Sequence, residues 1–517
     1  MSETGMTSLV IENISEHALR RLGEELAFIA RRGDLIALSG ELGAGKTTLA
    51  RAIIRSLSGN PAEEIPSPTF TLVQNYATPR MAVAHFDLYR LGSPDELAEL
   101  GLDLALQEGI ALIEWPEQAE GNLPPERLLV MIEDTGSPDT RRVTLDGNGG
   151  WGDRLKRLAA LRSLADEGGM NGACELRYLQ GDASVRRYGR FVCGSRPGTI
   201  LMDWPRQPDG PPIRNGLPYS RLAHLAEDVR PFVAVASALR AAGLTVPTIH
   251  AQDLANGFLL LDDLGDRVFG REVLEGTADQ AELWRVATEA LAQLHAHPPA
   301  KALPVSGADD HELPAYDRDA MAIETELLVD WYWPALRGAG VPDAERVEFV
   351  SLWSGVFDRL ERMPTGWVLR DYHSPNLLWL PERQGIARVG VIDFQDAMRG
   401  PAAYDLVSLL QDARVDVAPE LETELFEHYC AAVAARDPAF DRQAFAFAYA
   451  ALGAQRNTKI VGIFARLARR DGKPGYLQHI PRLWRYLERD LAHPELGALK
   501  RWYDRCLPAD ARSGIAA

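Results

Sequence analysis

The chain has 517 residues, of which 55 are Lys or Arg and 73 are Asp or Glu, giving a formal net charge of −18. At about 100–200 residues per domain this length predicts two or three domains, and 46% hydrophobic with 25% charged residues excludes a disordered or collagen-like chain. The excess of acid also opposes contact with nucleic-acid phosphates, so we expect no strong direct nucleic-acid binding.

The sequence pattern predicts a cytoplasmic chain with no membrane partner. No run of about 18 apolar residues occurs, and the opening MSETGMTSLV lacks the basic and apolar regions of a signal peptide. The four cysteines, Cys174, Cys193, Cys430 and Cys506, are scattered without a CxxC pair. This spacing predicts reduced, core-packing thiols rather than a disulfide or a zinc site.

A phosphate-binding loop follows the first predicted helix and strand. Apolar residues recur at helical spacing over residues 15–31, and residues 34–39 form a short apolar run typical of a strand. The next residues match G-x4-G-K-[ST]. Loop amides and a helix N-terminus bind phosphate in this motif, and the lysine reaches the β- and γ-oxygens. The predicted nucleotide-binding residues are Gly40, Gly43, Gly45, Lys46, Thr47 and Thr48, and Thr47 is also the predicted Mg²⁺ ligand.

Two acidic residues lie at the ends of later strand-like runs. Asp87 follows VAHF, and Glu114 follows ALI. An ATPase needs carboxylates at strand ends, where they face the metal or the attacking water. Asp87 and Glu114 are therefore candidates for these two tasks.

These blocks resemble the bacterial TsaE family of tRNA threonylcarbamoyladenosine synthesis. The resemblance covers about residues 9–135 and rests on the glycine loop, Ser67–Val73, His85–Arg90 and Ile113–Glu117. It implies an ATPase that binds ATP and Mg²⁺. It also implies partner proteins, a complex that transfers threonylcarbamoyl to adenosine 37 of certain tRNAs.

The same resemblance implies roles for four residues. Thr69 resembles the switch threonine, and Asp87 resembles a magnesium-associated acid. Glu114 and Trp115 resemble residues near the phosphate and the base. We therefore treat Glu114 as the candidate catalytic residue of this half.

A glycine-rich segment separates the two halves of the chain. GNGGWGD and GGMNG flank a short helix-prone stretch. We expect a P-loop ATPase domain at residues 1–150, a linker at residues 151–172 and a second domain at residues 173–517.

The second half carries a phosphotransferase pattern. Asp371 and Asn376 are spaced as in a kinase catalytic loop, and an apolar strand then presents Asp393. The order is base, metal amide and metal acid. Asp371 would accept or orient the proton of the attacking hydroxyl, while Asn376 and Asp393 would hold Mg²⁺ on the nucleotide phosphates.

The predicted N-terminal lobe departs from the kinase pattern. Residues 179–191 alternate like a phosphate-covering hairpin, yet no lysine occurs between Lys156 and Lys301 to pair the phosphates. We favour substitution by Arg186 and Arg187, because a guanidinium can bind phosphate bidentately. A lobe without catalytic function is the alternative.

The second half resembles the aminoglycoside phosphotransferase superfamily, and within it the anomeric sugar kinases of the AmgK type. The likeness covers about residues 175–505 and includes Arg370–Leu377, Ile392–Asp396 and Gly400–Leu406. Leu369 stands where many kinases have histidine. The resemblance implies a two-lobed α+β kinase that uses ATP to phosphorylate N-acetylmuramate or N-acetylglucosamine at carbon 1. The expected fold class is thus an α/β P-loop NTPase domain followed by a kinase-like α+β domain.

The substrate side leaves alternatives open. An anionic amino sugar needs positive charge, which Arg456 and Lys459 could supply, although a helix salt bridge explains this pair equally well. A polycationic aminoglycoside would instead need an acidic pocket. The second half is therefore a sugar kinase, an antibiotic kinase, or a pseudokinase that only tethers the ATPase to its partners.

Overall fold

The computed structural model describes residues 7–93, 96–137, 139–170, 174–179 and 186–512. The chain forms two compact units, which we call unit 1 and unit 2. Unit 1 comprises residues 1–206 with 249–263, and unit 2 comprises residues 207–248 with 264–517.

A seven-stranded sheet forms the first part of unit 1, with strand order β1-β7-β6-β2-β5-β4-β3. The contacts of β2 with β5 and β6, and of β4 with β5, are parallel, as a P-loop α/β fold requires. The strands are β1 (Thr7–Ser15), β2 (Leu35–Gly40), β3 (Val73–Tyr76), β4 (Ala82–Asp87), β5 (Gly109–Glu114), β6 (Leu128–Asp134) and β7 (Thr140–Gly147). The helices are α1 (Glu16–Ile29), α2 (Lys46–Ser58), α3 (Glu96–Glu99), α4 (Leu102–Glu108) and α5 (Trp151–Glu167).

An antiparallel five-stranded sheet completes unit 1, and we call it the kinase sheet. Its strand order is β13-β14-β10-β9-β8. The strands are β8 (Glu175–Leu179), β9 (Arg187–Val192), β10 (Thr199–Asp203), β13 (Ile249–Asp253) and β14 (Phe258–Asp262). The predicted hairpin is present as the pair β8–β9, and its residues 180–185 lie outside the described part of the chain.

The segment predicted as a linker differs from that expectation, because most of it is the helix α5. Leu155, Leu158, Leu161 and Leu164 on this helix are buried in the core of unit 1. Apolar residues at this spacing follow one helical face. Residues 151–167 are thus a packed element that contacts both sheets.

The cysteine prediction is wrong for one pair. Cys174 and Cys193 form a disulfide, because the register that pairs Glu175 with Val192 places these two residues opposite each other on neighbouring strands. Cys430 and Cys506 are free and buried, as expected for packing thiols.

Unit 2 is mainly helical. Its helices are α6 (Tyr219–Leu222), α7 (Arg230–Ala241), α8 (Phe269–Leu274), α9 (Gln280–His295), α10 (Arg318–Leu327), α11 (Trp333–Arg337), α12 (Asp343–Leu360), α13 (Ala403–Leu410), α14 (Pro419–Ala434), α15 (Arg442–Asp471), α16 (Ile480–Leu491) and α17 (Gly497–Cys506). Its strands are two to four residues long and form two-stranded sheets. They pair as β11 (Pro212–Arg214) with β12 (Leu217–Pro218), β15 (Ala302–Leu303) with β16 (His311–Glu312), β17 (Thr365–Val368) with β20 (Met398–Pro401), and β18 (Leu377–Trp379) with β19 (Val389–Val391). Helix α15 packs on α10, α13 and α16 at the centre of this unit.

The strand pair β18–β19 brings two of the predicted kinase residues, Asn376 and Asp393, close together. Asn376 immediately precedes β18, and Asp393 lies just after β19. Since the two strands are antiparallel, the start of one lies beside the end of the other. Across the described residues, no helix is both long enough and apolar enough to cross a bilayer.

Candidate functional site

The phosphate loop lies between β2 and α2, where the sequence predicts it. Gly40, Gly43 and Gly45 all have positive φ, at 145°, 82° and 116°. A side chain at Gly40 would collide with the carbonyl oxygen of Ile132. Glycine therefore allows both the turn and its close approach to β6, and Lys46 to Thr48 form the first turn of α2 behind it.

Lys46 is buried and held by the loop itself. Its Nζ donates to the carbonyl oxygens of Gly40 at 2.6 Å and Glu41 at 2.9 Å. The same nitrogen lies 3.5 Å from the centroid of the Trp115 ring, a cation–π contact. Burial lowers the pKa of Lys46, although Glu114 and other nearby acids oppose this effect.

Strands β4 and β5 bring the two predicted acids side by side, since their parallel register pairs Asp87 with Glu114. Glu114 accepts a hydrogen bond from the Thr47 hydroxyl at 2.8 Å. Asp87 accepts one from the Thr69 hydroxyl at 2.7 Å. Thr47, Thr69, Asp87, Glu114 and the lysine-contacting Trp115 thus form one cluster beside the loop.

His85 and Ser67 complete this cluster but were not among the predicted site residues. The Nε2 atom of His85 lies 2.9 Å from Glu114, and the Ser67 hydroxyl donates to Asp87 at 3.1 Å. His85 lies two residues before Asp87 on β4, and alternate residues of a strand share a face. This two-residue spacing from Asp87 was the sequence feature that could have identified His85.

The kinase residues Asp371, Asn376 and Asp393 also come together. The Nδ2 atom of Asn376 donates to the carbonyl oxygen of Asp371 at 3.0 Å and lies 3.4 Å from Oδ2 of Asp393. All three residues are half-buried. Arg370 and Asp393 have φ values of 73° and 61°, a left-handed conformation that is uncommon for such residues and recurs at functional sites.

A buried carboxylate from α13 holds the start of this loop. The side chain of Asp405 accepts hydrogen bonds from the backbone N–H of Leu369 at 2.6 Å and of Arg370 at 3.0 Å. Burial raises the pKa of Asp405 to about 7, although the two backbone hydrogen bonds act in the opposite direction. Asp405 therefore supports a loop in which leucine replaces the usual histidine. Asp412 supports the next turn by accepting from the N–H of Ser374 at 2.8 Å.

A second buried carboxylate fixes the arginine before Asp371. Glu324 on α10 pairs with Arg370 and, at 2.9 Å, with Lys459. It also accepts a hydrogen bond from the Tyr316 hydroxyl at 2.7 Å. Burial alone would raise the pKa of Glu324, but Lys459 and Arg370 outweigh that effect and lower it to about 2.

The arginine and lysine suggested for substrate charge are both buried. Lys459 is occupied by Glu324, and Arg456 donates to the carbonyl oxygen of Gln411 at 3.3 Å. Their visible partners are therefore protein groups, and the pair does not form a salt bridge with a neighbouring turn of α15. A direct role for either residue in substrate binding stays a prediction.

The two arginines suggested in place of the kinase lysine differ in their surroundings. Arg187 forms an ion pair with Asp203 at 2.6 Å and donates to the carbonyl oxygen of Phe28 at 3.3 Å. The guanidinium carbon of Arg186 lies 5.0 Å from the centroid of the Trp204 ring. Arg187 thus has a structural task within unit 1, and phosphate binding by either residue stays a prediction.

Comparison with known proteins finds two family matches in the order that the motifs suggest. The family described as "Threonylcarbamoyl adenosine biosynthesis protein TsaE" matches residues 14–143. The phosphotransferase enzyme family matches residues 175–447.

Curated relatives agree with both matches. An N-acetylmuramate/N-acetylglucosamine kinase of Caulobacter vibrioides is 42% identical over 65% of this chain and 92% of its own length. A kinase of the same description from Pseudomonas aeruginosa is 38% identical over 63% of this chain and 86% of its own length. The tRNA threonylcarbamoyladenosine biosynthesis protein TsaE of Rickettsia felis is 41% identical over 24% of this chain and 71% of its own length. The chain therefore belongs to the phosphotransferase enzyme family and carries, ahead of its kinase-like fold, a P-loop domain of the TsaE family.

Proposed function

We propose that the chain is a bifunctional, cytoplasmic enzyme. Its N-terminal half hydrolyses ATP in support of a protein complex that makes threonylcarbamoyladenosine in tRNA. Its C-terminal half transfers phosphate from ATP to the anomeric hydroxyl of N-acetylmuramate or N-acetylglucosamine. The observation that carries the kinase proposal is the convergence of Asp371, Asn376 and Asp393 at one hairpin, in a chain whose relatives are sugar kinases.

The donor set fits Mg²⁺ in the kinase half. Asn376 uses its Nδ2 atom within the loop, which leaves its amide oxygen for a cation beside the carboxylate of Asp393, and both are hard oxygen donors. No group of three or more His, Cys, Asp or Glu side chains in the described ranges is arranged to hold a metal. This agrees with an ion that takes its remaining ligands from ATP phosphates and water. Bound Mg²⁺ would neutralise charge on the transferring phosphate.

Asp371 performs the proton step in this proposal. The sugar hydroxyl oxygen forms a bond to the γ-phosphorus, the bond from that phosphorus to the bridging oxygen of ADP breaks, and the hydroxyl proton passes to the Asp371 carboxylate. Asp405 and Glu324 hold the backbone and the arginine on the N-terminal side of Asp371. They therefore orient the carboxylate without touching the sugar.

The P-loop half uses the cluster around Glu114. The loop amides and Lys46 would bind the phosphates, and Thr47 and Asp87 would hold Mg²⁺. Glu114 would orient the attacking water, with His85 at 2.9 Å fixing its carboxylate. Thr69, which donates a hydrogen bond to Asp87, would be the switch residue that responds when nucleotide binds.

A substrate panel tests the kinase proposal. Purified full-length protein would be given ATP, Mg²⁺ and, separately, N-acetylmuramate, N-acetylglucosamine and a kanamycin-like aminoglycoside. We expect a sugar 1-phosphate, identified by phosphorus NMR, and no aminoglycoside phosphate. A product formed only from the aminoglycoside would support the antibiotic kinase instead, and nucleotide binding without any transfer would support the pseudokinase.

A further inference from the structure

The kinase sheet and the P-loop part of unit 1 share one hydrophobic core. We call residues 7–170 the P-loop module. This core includes Leu22, Leu26 and Phe28 of α1 and the leucines of α5, together with Leu176, Phe191, Leu201, Phe258 and Leu260 of the kinase sheet. All of these side chains are almost fully buried. Removing apolar side chains from water is the dominant favourable term in packing of this kind.

Four arginine–aromatic contacts cross the same boundary. Each places a guanidinium of one part within about 6 Å of a ring of the other, which is the range of cation–π attraction. The pairs are Arg21 with Phe191 at 4.4 Å, Arg80 with Tyr178 at 4.0 Å, Arg157 with Phe258 at 4.5 Å, and Arg187 with Phe28 at 5.5 Å. In the last pair the arginine belongs to the kinase sheet, whereas in the other three it belongs to the P-loop module. Both parts therefore contribute arginines to the contacts across this boundary.

Hydrogen bonds and ion pairs cross it as well. The side chain of Glu24 on α1 accepts from the N–H of Leu176 on β8 at 2.6 Å. Asp203 on β10 is 1% exposed and pairs with both Arg157 of α5 and Arg187 of β9. A buried carboxylate that loses one cationic partner is costly, so the kinase sheet needs Arg157 from outside itself.

We propose that the P-loop module is a permanent structural component of the kinase, with α1 and α5 forming the second layer of the kinase sheet. Without them, the sheet would expose apolar side chains and Asp203 would lose its ion pair with Arg157. Strand β9, with Arg187, belongs to the segment of residues 179–191 that is predicted to cover the ATP phosphates. The module therefore supports ATP binding by the kinase half through packing, and this step rests on the kinase function proposed above.

Cleavage in place tests the interface without relying on any activity. A protease site replacing residues 171–173 allows full-length protein to be folded first and cut afterwards. We expect the two fragments to elute together in size-exclusion chromatography at micromolar concentration. Separation of the folded fragments would overturn the proposal.

Substitutions in the full chain test the support of ATP binding. Arg157→Met removes the charge that faces Asp203 while keeping the aliphatic stem. We expect the KM for ATP in sugar phosphorylation to rise at least fivefold in Arg157→Met and to rise less in Arg157→Lys. The P-loop ATPase rate should stay within twofold of wild type in both variants. Arg20→Ala is the matched control, because Arg20 is exposed and its ion-pair partner among the described residues is Glu16 on the same helix.

The outcomes separate this inference from the proposed function. An unchanged KM for Arg157→Met in folded protein would contradict the support of ATP binding. If uncut, unmodified protein phosphorylated no sugar, the kinase function would fail, while co-elution of the cut fragments would still establish the interface.

Discussion

Asp405 is a buried residue, distant in sequence, that holds the loop carrying Asp371, the proposed catalytic residue. Its two carboxylate oxygens accept from consecutive backbone N–H groups just before Asp371. An amide side chain has only one oxygen, so Asp405→Asn would leave one buried N–H without an acceptor. A buried unsatisfied donor costs about 1–3 kcal/mol.

We therefore predict that Asp405→Asn lowers kcat for sugar phosphorylation by about 10- to 100-fold with a smaller change in the KM for sugar. Steady-state kinetics and thermal unfolding would check this prediction. Asp358→Asn, at an exposed ion pair on α12, is the control. Equal kcat for the two variants would contradict the positioning role.

Glu114 carries the corresponding prediction in the P-loop half. Its carboxylate contacts Thr47 and His85, and removal of a general base typically lowers a rate by about 10²–10⁴-fold. We predict that Glu114→Gln loses ATP hydrolysis on this scale while binding ATP and retaining sugar phosphorylation. Phosphate release in the absence of sugar is the measurement. Hydrolysis at the wild-type rate would remove Glu114 from the mechanism.

Motif spacing predicted the residues whose neighbours are close in sequence. Lys46 directly follows the glycine loop at the start of α2, and Asp371, Asn376 and Asp393 flank the strand pair β18–β19, so short-range geometry places them. Asp405 and Glu324 could not be assigned in this way, since their contacts depend on how α13 and α10 pack. Their identity as acids is visible in the sequence, but their partners are not.

Helix α1 connects the P-loop to the kinase sheet at the scale of elements. Leu19 near its start lies close to Gly45 of the phosphate loop, and Glu24 further along binds β8. Burial raises the pKa of Glu24 to about 7, although the hydrogen bond from Leu176 acts in the opposite direction. An acid whose pKa is raised on folding binds more protons in the folded state, so its effect on stability becomes less favourable as pH rises between about 4.5 and 7.

We predict that Glu24→Gln stabilises unit 1 relative to wild type above pH 7 and has little effect near pH 5. Gln retains an oxygen for the Leu176 N–H and carries no charge. The expected difference between these pH values is on the order of 2 kcal/mol, measured by thermal or denaturant unfolding. Glu16→Gln, at an exposed site on the same helix, should show no such dependence. A constant difference between Glu24→Gln and wild type across this pH range would contradict the assignment.

The packing of helix α5 and the disulfide are two features of the elements that the sequence pattern did not predict. The stretch 151–167 is helix-prone in sequence, yet its flanking glycines favoured a linker, because only the folded sheets reveal what its leucines pack against. The Cys174–Cys193 pair likewise depends on the register of β8 and β9. Residue spacing alone does not specify that register.

At the scale of the whole molecule, the P-loop module and the kinase sheet share one hydrophobic core. The order of motifs along the chain was sufficient to predict a P-loop domain followed by a kinase-like fold, and both family matches confirm it. The packing of the P-loop module on the kinase sheet was not predictable, since it depends on tertiary contacts between segments that resemble separate families. The residues proposed for the two reactions nevertheless differ, so the two activities should be separable by substitution even though the parts are packed together.

The most direct test of this account is a crossed measurement of both activities in two full-length variants. Asp371→Asn should reduce formation of the sugar 1-phosphate by at least 100-fold and leave sugar-independent ATP hydrolysis unchanged. Lys46→Ala should do the reverse. Loss of both activities in either folded variant, or loss of neither, would contradict the account of two catalytic sites on one chain.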